Sequence, residues 1–190
     1  MSHPTKKLLG TELKTLMKSK SIEQITVTEL VDACQITRQT FYYHFQDIYA
    51  LLEWVYEDDF IHHIKNEVDY TNWKDSFLVI LNYVSNNYDF CLNTLNSLQR
   101  NQFTRMFYHT ISELLSKVFY DISGSKDIPQ QDADFIVNFF SHAFSGIVVD
   151  WILSGCKEPS SEIIGRLSWI MDQQYVNAIE HAKHFQSKQH

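Results

Sequence analysis

Few residues in this chain can interrupt a helix. The 190-residue sequence contains 5 glycines and 3 prolines, and its apolar residues recur at helical spacing rather than in alternating runs. Hydrophobic residues make up 44% of the chain, which is enough to bury a core and argues against disorder. The sequence therefore predicts an all-α protein of about nine helices, with a small three-helix head and a larger helical body.

The charges are distributed unevenly along the chain. The formal net charge is −7, yet residues 1–50 carry six Lys or Arg against five Asp or Glu, which leaves −8 for the remaining 140 residues. A polyanion responds to local positive charge more than to the net charge of a whole protein. We therefore expect only the head to bind a polyanion.

The cysteines and the apolar segments indicate a soluble protein in a reducing compartment. Cys34, Cys91 and Cys156 are an odd number with wide spacing, as expected for free thiols. The first residues lack the apolar core of a secretory signal. The most apolar segment, 135–149, is shorter than the roughly 20 residues that a bilayer span requires. We therefore expect a cytoplasmic protein without a membrane segment.

The sequence contains none of the common catalytic signatures. It has no G-x-S-x-G, no H-E-x-x-H and no glycine-rich phosphate loop, so we expect neither an enzyme nor a bound cofactor. One pattern is compatible with a metal site, because Asp58/His62 and Asp59/His63 are spaced one helical turn apart. A solvated acidic helix face is the favoured interpretation of this pattern, and we predict no metal site.

The head has the pattern of several short helices. A tight connection at 35–37 separates a second helix, capped by Thr26 or Thr28, from a third helix. The third helix runs from Arg38 to about Phe45, with Thr37 as its expected N-cap. Asp47 is the expected N-cap of a fourth helix that extends to about residue 66. The inward faces of the first two helices are Leu9, Leu13, Leu16 and Met17, and Val27, Leu30, Val31 and Ala33. Longer helices follow near 73–88, 90–98, 101–122, 130–154 and 161–184.

The third predicted helix has side chains that suit DNA. It begins Thr37-Arg38-Gln39-Thr40, and such residues donate hydrogen bonds to phosphates and to base edges in the major groove. No carboxylate occurs between Asp32 and Asp47. Phe41 and Phe45, one helical turn apart, are expected to face the head core and leave the residues between them outside. The pattern favours a helix-turn-helix, although an ordinary amphipathic helix can contain such residues too.

The stretch "ITVTELVDACQITRQTFYYHF", residues 25–45, together with Ala50-Leu51-Leu52, resembles the DNA-binding head of the TetR family of bacterial transcription regulators. The pieces "RQTFY", "LLEWVYEDDF" and "GIVVDWILSG" followed by Pro159 are similar to its Firmicutes-type branch, which includes a dihydroxyacetone-kinase activator. The resemblance implies a helix-turn-helix domain at 1–47, with its recognition helix at about 38–45, and a helical regulatory and dimerisation domain at 48–190.

The resemblance also implies a role for each residue of the motif. Thr37, Arg38 and Gln39 stand where the family reads bases, and phosphate contacts are implied for Thr26, Thr40, Tyr42 and His44. Tyr43 completes the candidate DNA-binding set. The chain departs from the family at Gln35, where a glycine usually provides a left-handed backbone, and at Ile48, where a lysine often contacts phosphate.

In this family the C-terminal part holds a ligand pocket and a dimer interface made by the last two helices. The candidate pocket residues combine apolar walls with a few polar groups: Trp73, Phe77, Arg100, Phe103, Phe107, Tyr108, His109 and Phe140. The candidate interface residues are Phe139, Ala143, Gly146, Val149, Ile164, Leu167, Met171 and Ala178. Packing inside one protomer is the alternative explanation for both sets.

The expected function is that of a homodimeric regulator that binds a near-palindromic operator in double-stranded DNA. Repression that a small-molecule effector releases or modulates is the first expectation, because it is the commoner outcome in the family. Activation of transcription, and control by a protein partner instead of a small molecule, are the open alternatives. A ligand pocket and a partner groove are built from the same apolar helices, so the sequence does not separate them.

Overall fold

A computed structural model describes residues 2–61, 69–97, 99–124 and 128–186, and all of its regular elements are helical. The α-helices are α1 (Ser2–Leu16), α2 (Val27–Ala33), α3 (Arg38–His44), α4 (Ile48–Tyr56), α5 (Trp73–Asn86), α6 (Tyr88–Leu95), α7 (Arg100–Ser123), α8 (Gln130–Leu153), α9 (Ser160–Ile170) and α10 (Val176–Gln186). The predicted all-α class is confirmed.

Two of the predicted helices contain a wider turn. α4 continues as a π-helical turn at Glu57–Ile61, and the rest of its predicted length, to residue 66, lies outside the described residues. A second π-helical turn, Met171–Tyr175, separates α9 from α10 within the last predicted helix. A short 3₁₀ turn, Ile22–Gln24, precedes α2. The apolar spacing predicted these helices, but it does not distinguish an α turn from a π turn.

The chain forms two compact units. The head unit comprises Met1–His63 together with Asn87–Phe103, and the body unit comprises Ile64–Asn86 together with Thr104–His190. The resemblance implied a different boundary, with a DNA-binding domain at 1–47 and a regulatory domain at 48–190, and this functional division remains a prediction. The compact units differ from it, because α4 and α6 belong structurally to the head.

The head core lies where α1 packs against α2 and α4, and where α2 packs against α3. Leu9, Leu13, Met17, Leu30 and Phe41 are fully or almost fully buried there. At Gly10 a Cβ atom would stand 2.8 Å from the Val55 side chain, so α1 and α4 approach too closely for a larger residue without a shift. Ala33, which was expected to face inward, is exposed instead, because it stands at the solvent side of the last turn of α2.

Helix α6 completes the head by satisfying backbone groups near the end of α1. The Asn93 side-chain amide donates to the carbonyl oxygens of Met17, at 3.0 Å, and Lys20. Its oxygen accepts a hydrogen bond from the Ile22 N–H at 3.2 Å. A buried hydroxyl pair, Tyr56 with Thr94 at 2.9 Å, joins α4 to α6. Because unsatisfied buried polar groups are costly, these bonds hold α6 specifically against α1 and α4.

The body core is built from aromatic residues. The Phe144 ring of α8 lies 5.2 Å from the Phe77 ring and 6.3 Å from the Trp73 ring, between centroids. Tyr175 is fully buried, and its hydroxyl donates to the Leu115 carbonyl oxygen at 2.7 Å. Burial raises the pKa of Tyr175 far above its ordinary value, so this hydroxyl remains a neutral donor.

Helix α8 is longer than the apolar segment 135–149 on which the sequence expectation rested. Its 24 residues, Gln130–Leu153, are apolar enough by length and composition to cross a bilayer. Buried helices of globular proteins pass the same test, so a single helix of this kind is weak evidence for a membrane span. Its Phe144 side chain packs against two rings of the body core, as in a helix of a folded protein interior.

Candidate nucleic-acid interface

The turn between α2 and α3 is a Schellman motif with a glutamine at the left-handed position. The Gln35 N–H donates to the Asp32 carbonyl oxygen at 3.1 Å, and the Ile36 N–H donates to the Val31 carbonyl oxygen at 3.0 Å. Gln35 has φ of 54°, which confirms that the chain needs a left-handed conformation where the family usually has glycine. A non-glycine residue at such a φ costs roughly 1–2 kcal/mol.

The thiol next to this turn is not reactive. Cys34, the C-cap of α2, is buried, and burial together with the nearby Glu12 raises the pKa of its thiol to about 11. The group therefore stays protonated near neutral pH and behaves as a small apolar side chain. Cys91 and Cys156 are also thiols and not halves of a disulfide, as the spacing of the cysteines predicted.

Three N-caps fix where the short helices begin. Thr26 accepts from the Glu29 N–H at 3.2 Å, Thr37 accepts from the Thr40 N–H at 3.1 Å, and Asp47 accepts from the Ala50 N–H at 2.8 Å. The caps at Thr37 and Asp47 were predicted from the residue types, and Thr26 was one of two candidates, with Thr28, for the first cap. The Thr37 and Thr40 hydroxyl oxygens also lie 2.9 Å apart and share one hydrogen bond. Since two hydroxyls bring two protons, one proton of this pair is left to donate outward.

Helix α3 has one buried side and one exposed side. Phe41 and Phe45 are buried, with ring centroids 5.9 Å apart, as their spacing predicted. On the other side Tyr42 is 57% exposed and Tyr43 is 82% exposed, while His44 is half-buried and its ring lies 4.9 Å from that of Tyr43. The buried pair anchors the helix, so that the two tyrosine hydroxyls face solvent.

The long polar side chains stand at the first turn of α3. Arg38 and Gln39 are both exposed. Arg38 donates from Nη2 to the hydroxyl of Thr28, which lies in the first turn of α2. Both short helices therefore contribute to this end of the exposed surface.

The lysines of the head differ in how their charges are held. Lys14 is paired with Asp59, and Lys20 is paired with Glu29. The Lys6 ammonium lies over the Phe45 and Trp54 rings, at 5.4 and 5.7 Å from the centroids. Lys7 and Lys18 are exposed. Because paired cations are partly neutralised, the positive surface is weaker than the count of lysines indicates.

The start of α4 lacks the lysine that the family often has. Ile48 occupies that position and is buried, and the Asp47 carboxylate occupies the helix N-terminus. An anion already placed at a helix N-terminus competes with a phosphate for the same N–H groups. Tyr49, half-buried beside them, is the remaining candidate for a phosphate contact at this place.

The predicted ligand-pocket residues are divided between the two compact units. Arg100 and Phe103 belong to the head unit, where the Phe103 ring lies 4.9 Å from that of Tyr56. The other six belong to the body unit, where four are buried, Tyr108 is half-buried and His109 is exposed: Trp73, Phe77, Phe107, Phe140, Tyr108 and His109. A cleft of about 260 Å³ in the head unit is lined by none of them, but by Lys7, Gly10, Thr11, Lys14, Trp54, Val55, Asp58 and Asp59.

The predicted interface residues divide into exposed and enclosed sets. Phe139, Ala143 and Gly146 are exposed on α8, while Val149 and Ala178 are half-buried. Leu167 and Met171 are 1% and 0% exposed, and Ile164 is 9% exposed. The last three side chains are enclosed by their own body unit, where α9 packs against α5, and so they are not surface residues. The apolar stripe correctly predicted that these side chains are buried, but it did not show that their own protomer covers them.

Among the described residues, no group of three or more His, Cys, Asp or Glu side chains is placed to hold a metal ion. His62 and His63, the histidines of the possible metal pattern, lie outside those residues.

Two contacts were not predicted from the sequence, namely the Arg38–Thr28 bond and the Asn93 bonds to the end of α1. Both join separate elements, and spacing within one helix carries no signal for them.

The sequence and the fold match known regulators. Residues 14–55 match the family model described as bacterial regulatory proteins, tetR family, and residues 71–173 match one described as transcriptional regulator C-terminal region. The chain is 31% identical over 153 residues to the HTH-type dhaKLM operon transcriptional activator DhaS of Lactococcus lactis subsp. lactis (strain IL1403). The aligned residues cover 80% of this chain and 81% of that protein.

A solved structure described as the dihydroxyacetone kinase operon activator DhaS has a similar fold. The TM-score is 0.71 at 27% identity, and the similarity covers 95% of this chain and 97% of that one. The chain belongs to the TetR family of transcriptional regulators. It is a DNA-binding regulator of transcription and not an enzyme, and it resembles the DhaS branch of that family.

Proposed function

We propose that the protein binds a near-palindromic operator as a homodimer, with α3 of each protomer in the major groove. The observation that carries this proposal is the exposed side of α3, which combines Arg38, Gln39 and two exposed tyrosines on a helix without carboxylates. Arg38 and Gln39 stand at the start of the helix, where side chains reach base edges. Thr26, Thr37, Thr40, Tyr42, Tyr43 and His44 hold the phosphates or flank the bases.

The proposed dimer forms through the exposed side of α8. Phe135 and Phe139 are 71% and 61% exposed, and Ala143 and Gly146 continue the same face at helical spacing. A Cβ atom at Gly146 would meet no atom within 4 Å, so a second helix has room to approach there. Exposed aromatic residues beside small ones are typical of a helix that buries its face against a copy of itself.

The proposed effector site lies in the body, among the predicted pocket residues around Trp73 and Phe77. Trp73 is fully buried, and its indole N–H finds no acceptor among the described residues. Buried N–H donors normally have a partner, so this donor is suited to a small molecule that carries an oxygen acceptor. A thermal-shift screen of small metabolites tests the idea, because a ligand at 100 times its dissociation constant adds about 2.7 kcal/mol of stability. A protein partner in place of a metabolite is the alternative effector.

The direction of regulation has two candidates. Repression is the first expectation from the family, and release by an effector would accompany it. Activation has a specific observation behind it, because the relative with 31% identity is described as an operon activator. We propose activation as the second candidate, and a reporter fused to the operator distinguishes the two: deletion of the gene raises expression for a repressor and lowers it for an activator. A cytoplasmic location follows from either.

A further inference from the structure

The hydroxyl of Thr28 has a partner that its position in α2 does not require. Thr26, not Thr28, is the N-cap of this helix, so the Thr28 hydroxyl is not needed for the backbone. Instead it accepts a hydrogen bond from Nη2 of Arg38, ten residues further along the chain and in the next helix. Thr28 is half-buried, whereas Arg38 is exposed.

This contact restricts a side chain that is otherwise mobile. An arginine on the protein surface samples many rotamers, and it loses that freedom when its guanidinium forms a bidentate bond with a base. A β-branched threonine in a helix has few side-chain rotamers of its own, so its hydroxyl is a fixed acceptor. The guanidinium is planar, so one bond to Thr28 orients the remaining N–H donors and leaves enough of them to bind a guanine edge.

The frame around the contact is rigid as well. α2 and α3 are joined by the Schellman turn at 34–36, and Phe41 fixes α3 in the head core. The distance between the first turn of α2 and the first turn of α3 is therefore set by the fold, and the Thr28 hydroxyl can act as a constant reference point for Arg38. The carboxylate of Glu29, the neighbour of Thr28 in α2, is paired with Lys20.

We propose that Thr28 is a positioning residue for base recognition, which holds the Arg38 guanidinium in the orientation that reads a base. This inference rests on the proposed base-reading role of Arg38. It assigns to Thr28 an effect on specificity that passes through Arg38, rather than a contact of its own with DNA. Loss of the hydroxyl should therefore reduce the preference for the operator while leaving the affinity for unrelated DNA unchanged.

The test uses the full chain and a duplex that the wild-type protein selects from a random-sequence library. Fluorescence anisotropy at one fixed salt concentration gives the affinity for the selected duplex and for a scrambled duplex of equal composition. The variants are Thr28→Val, which removes the hydroxyl at nearly constant shape, Thr28→Ser, which restores it, Arg38→Ala, and the double variant Thr28→Val with Arg38→Ala. Thr11→Val is the matched control, because that hydroxyl donates to the Lys7 carbonyl oxygen of its own helix.

We expect Thr28→Val to lower the ratio of operator to scrambled affinity about three- to tenfold, since a good bidentate base contact is worth roughly five- to 150-fold and the loss of its orientation removes part of that. Thr28→Ser should leave the ratio unchanged because it keeps the hydroxyl, and Thr11→Val should do so because that hydroxyl binds its own helix. Unchanged here means within about twofold of the wild type, which is the usual spread of non-additivity. In the Arg38→Ala background, Thr28→Val should have no further effect. A repeated selection with Thr28→Val should lose the base preference at the same half-site position that Arg38→Ala loses.

Three results would overturn the inference. An unchanged ratio for Thr28→Val would show that the hydroxyl does not orient Arg38. An equal loss in the Arg38→Ala background would show that Thr28 contacts DNA itself. A loss that Thr28→Ser does not rescue would assign the effect to the methyl group.

Should Thr28→Val prove unfolded by circular dichroism, Thr28→Ala carries the same expectations. A wild type that selects no sequence would remove the proposed function and this inference together, whereas a selective wild type with an additive pair overturns the inference alone.

Discussion

The head and the body bury their cores in the same way but expose different surfaces. In both units aromatic and aliphatic side chains are enclosed between helices. The exposed side of α3 in the head, however, carries hydroxyl, amide and guanidinium groups, whereas the exposed side of α8 in the body carries Phe135 and Phe139. The first surface suits a hydrated polyanion, and the second suits an apolar partner. The two units therefore differ in what their helices leave exposed rather than in how their cores are packed.

Salt concentration should have the largest effect that distinguishes the two surfaces, because it should weaken DNA binding by the head but not dimerisation through α8. With about six to eight phosphate contacts per dimer, the plot of log K for operator against log salt should have a slope of about −5 to −7. Affinity should therefore fall roughly a thousand- to ten-thousandfold between 50 and 200 mM salt, while the dimer should persist because its proposed interface is apolar. Anisotropy titrations and light scattering in the same buffers measure both. A slope near zero would mean that the head does not contact the DNA backbone, and a dimer lost at high salt would contradict an apolar interface.

A charge on the exposed side of α8 should dissociate the dimer. Gly146→Glu fits in the protomer, because its Cβ meets no atom within 4 Å, but it places a carboxylate against the partner helix. We expect monomers that bind the operator about 100-fold more weakly, since two half-sites are no longer joined.

Lys157→Glu, an exposed change after α8, is the matched control and should remain dimeric. Light scattering that finds a monomeric wild type at micromolar concentration would contradict the proposed dimer. A charge at Leu167 is not a test of the interface, because this enclosed side chain would destabilise the body fold instead.

Two of the helix ends that are followed by left-handed residues can be compared directly. Gln35, with φ of 54°, follows the C-cap of α2, and Gly155, with φ of 93°, follows the C-cap of α8, where Cys156 with φ of 48° comes next. Both turns have the same pair of backbone hydrogen bonds. Gln35→Gly should therefore stabilise the protein by up to about 1 kcal/mol, and Gly155→Gln should destabilise it by a similar amount. For a chain of this length each change corresponds to a Tm shift of about 2–4 °C in opposite directions. Calorimetry that finds shifts of the same sign would show that the two turns are not equivalent.

Much of the head could be predicted from the sequence, because its signals are local. The caps at Thr26, Thr37 and Asp47 and the buried pair Phe41 and Phe45 follow from residue type and from spacing within one helix. The left-handed residue at Gln35 was expected from the family resemblance, because the family usually has a glycine at this position.

The contacts between elements could not be predicted in the same way. Asn93 lies more than 70 residues from the carbonyl groups that it binds, and no periodicity connects them. Leu167 and Met171 were expected at a dimer interface, because an apolar stripe indicates burial without showing which surface covers it. The division into compact units could not be predicted for the same reason, since α6 joins the head only through tertiary contacts.

In the proposed complex, the exposed side of α3 reads bases with Arg38 and holds the phosphate backbone with Tyr42. The most direct measurement is the affinity of Arg38→Ala and of Tyr42→Phe for operator and for scrambled duplex at one fixed salt concentration. Arg38→Ala should cost about 1–3 kcal/mol on the operator and little on scrambled DNA. Tyr42→Phe should weaken both duplexes alike, because a hydrogen bond to phosphate carries no base information. An equal loss on both duplexes for Arg38→Ala would contradict the account, because it would make Arg38 a backbone contact.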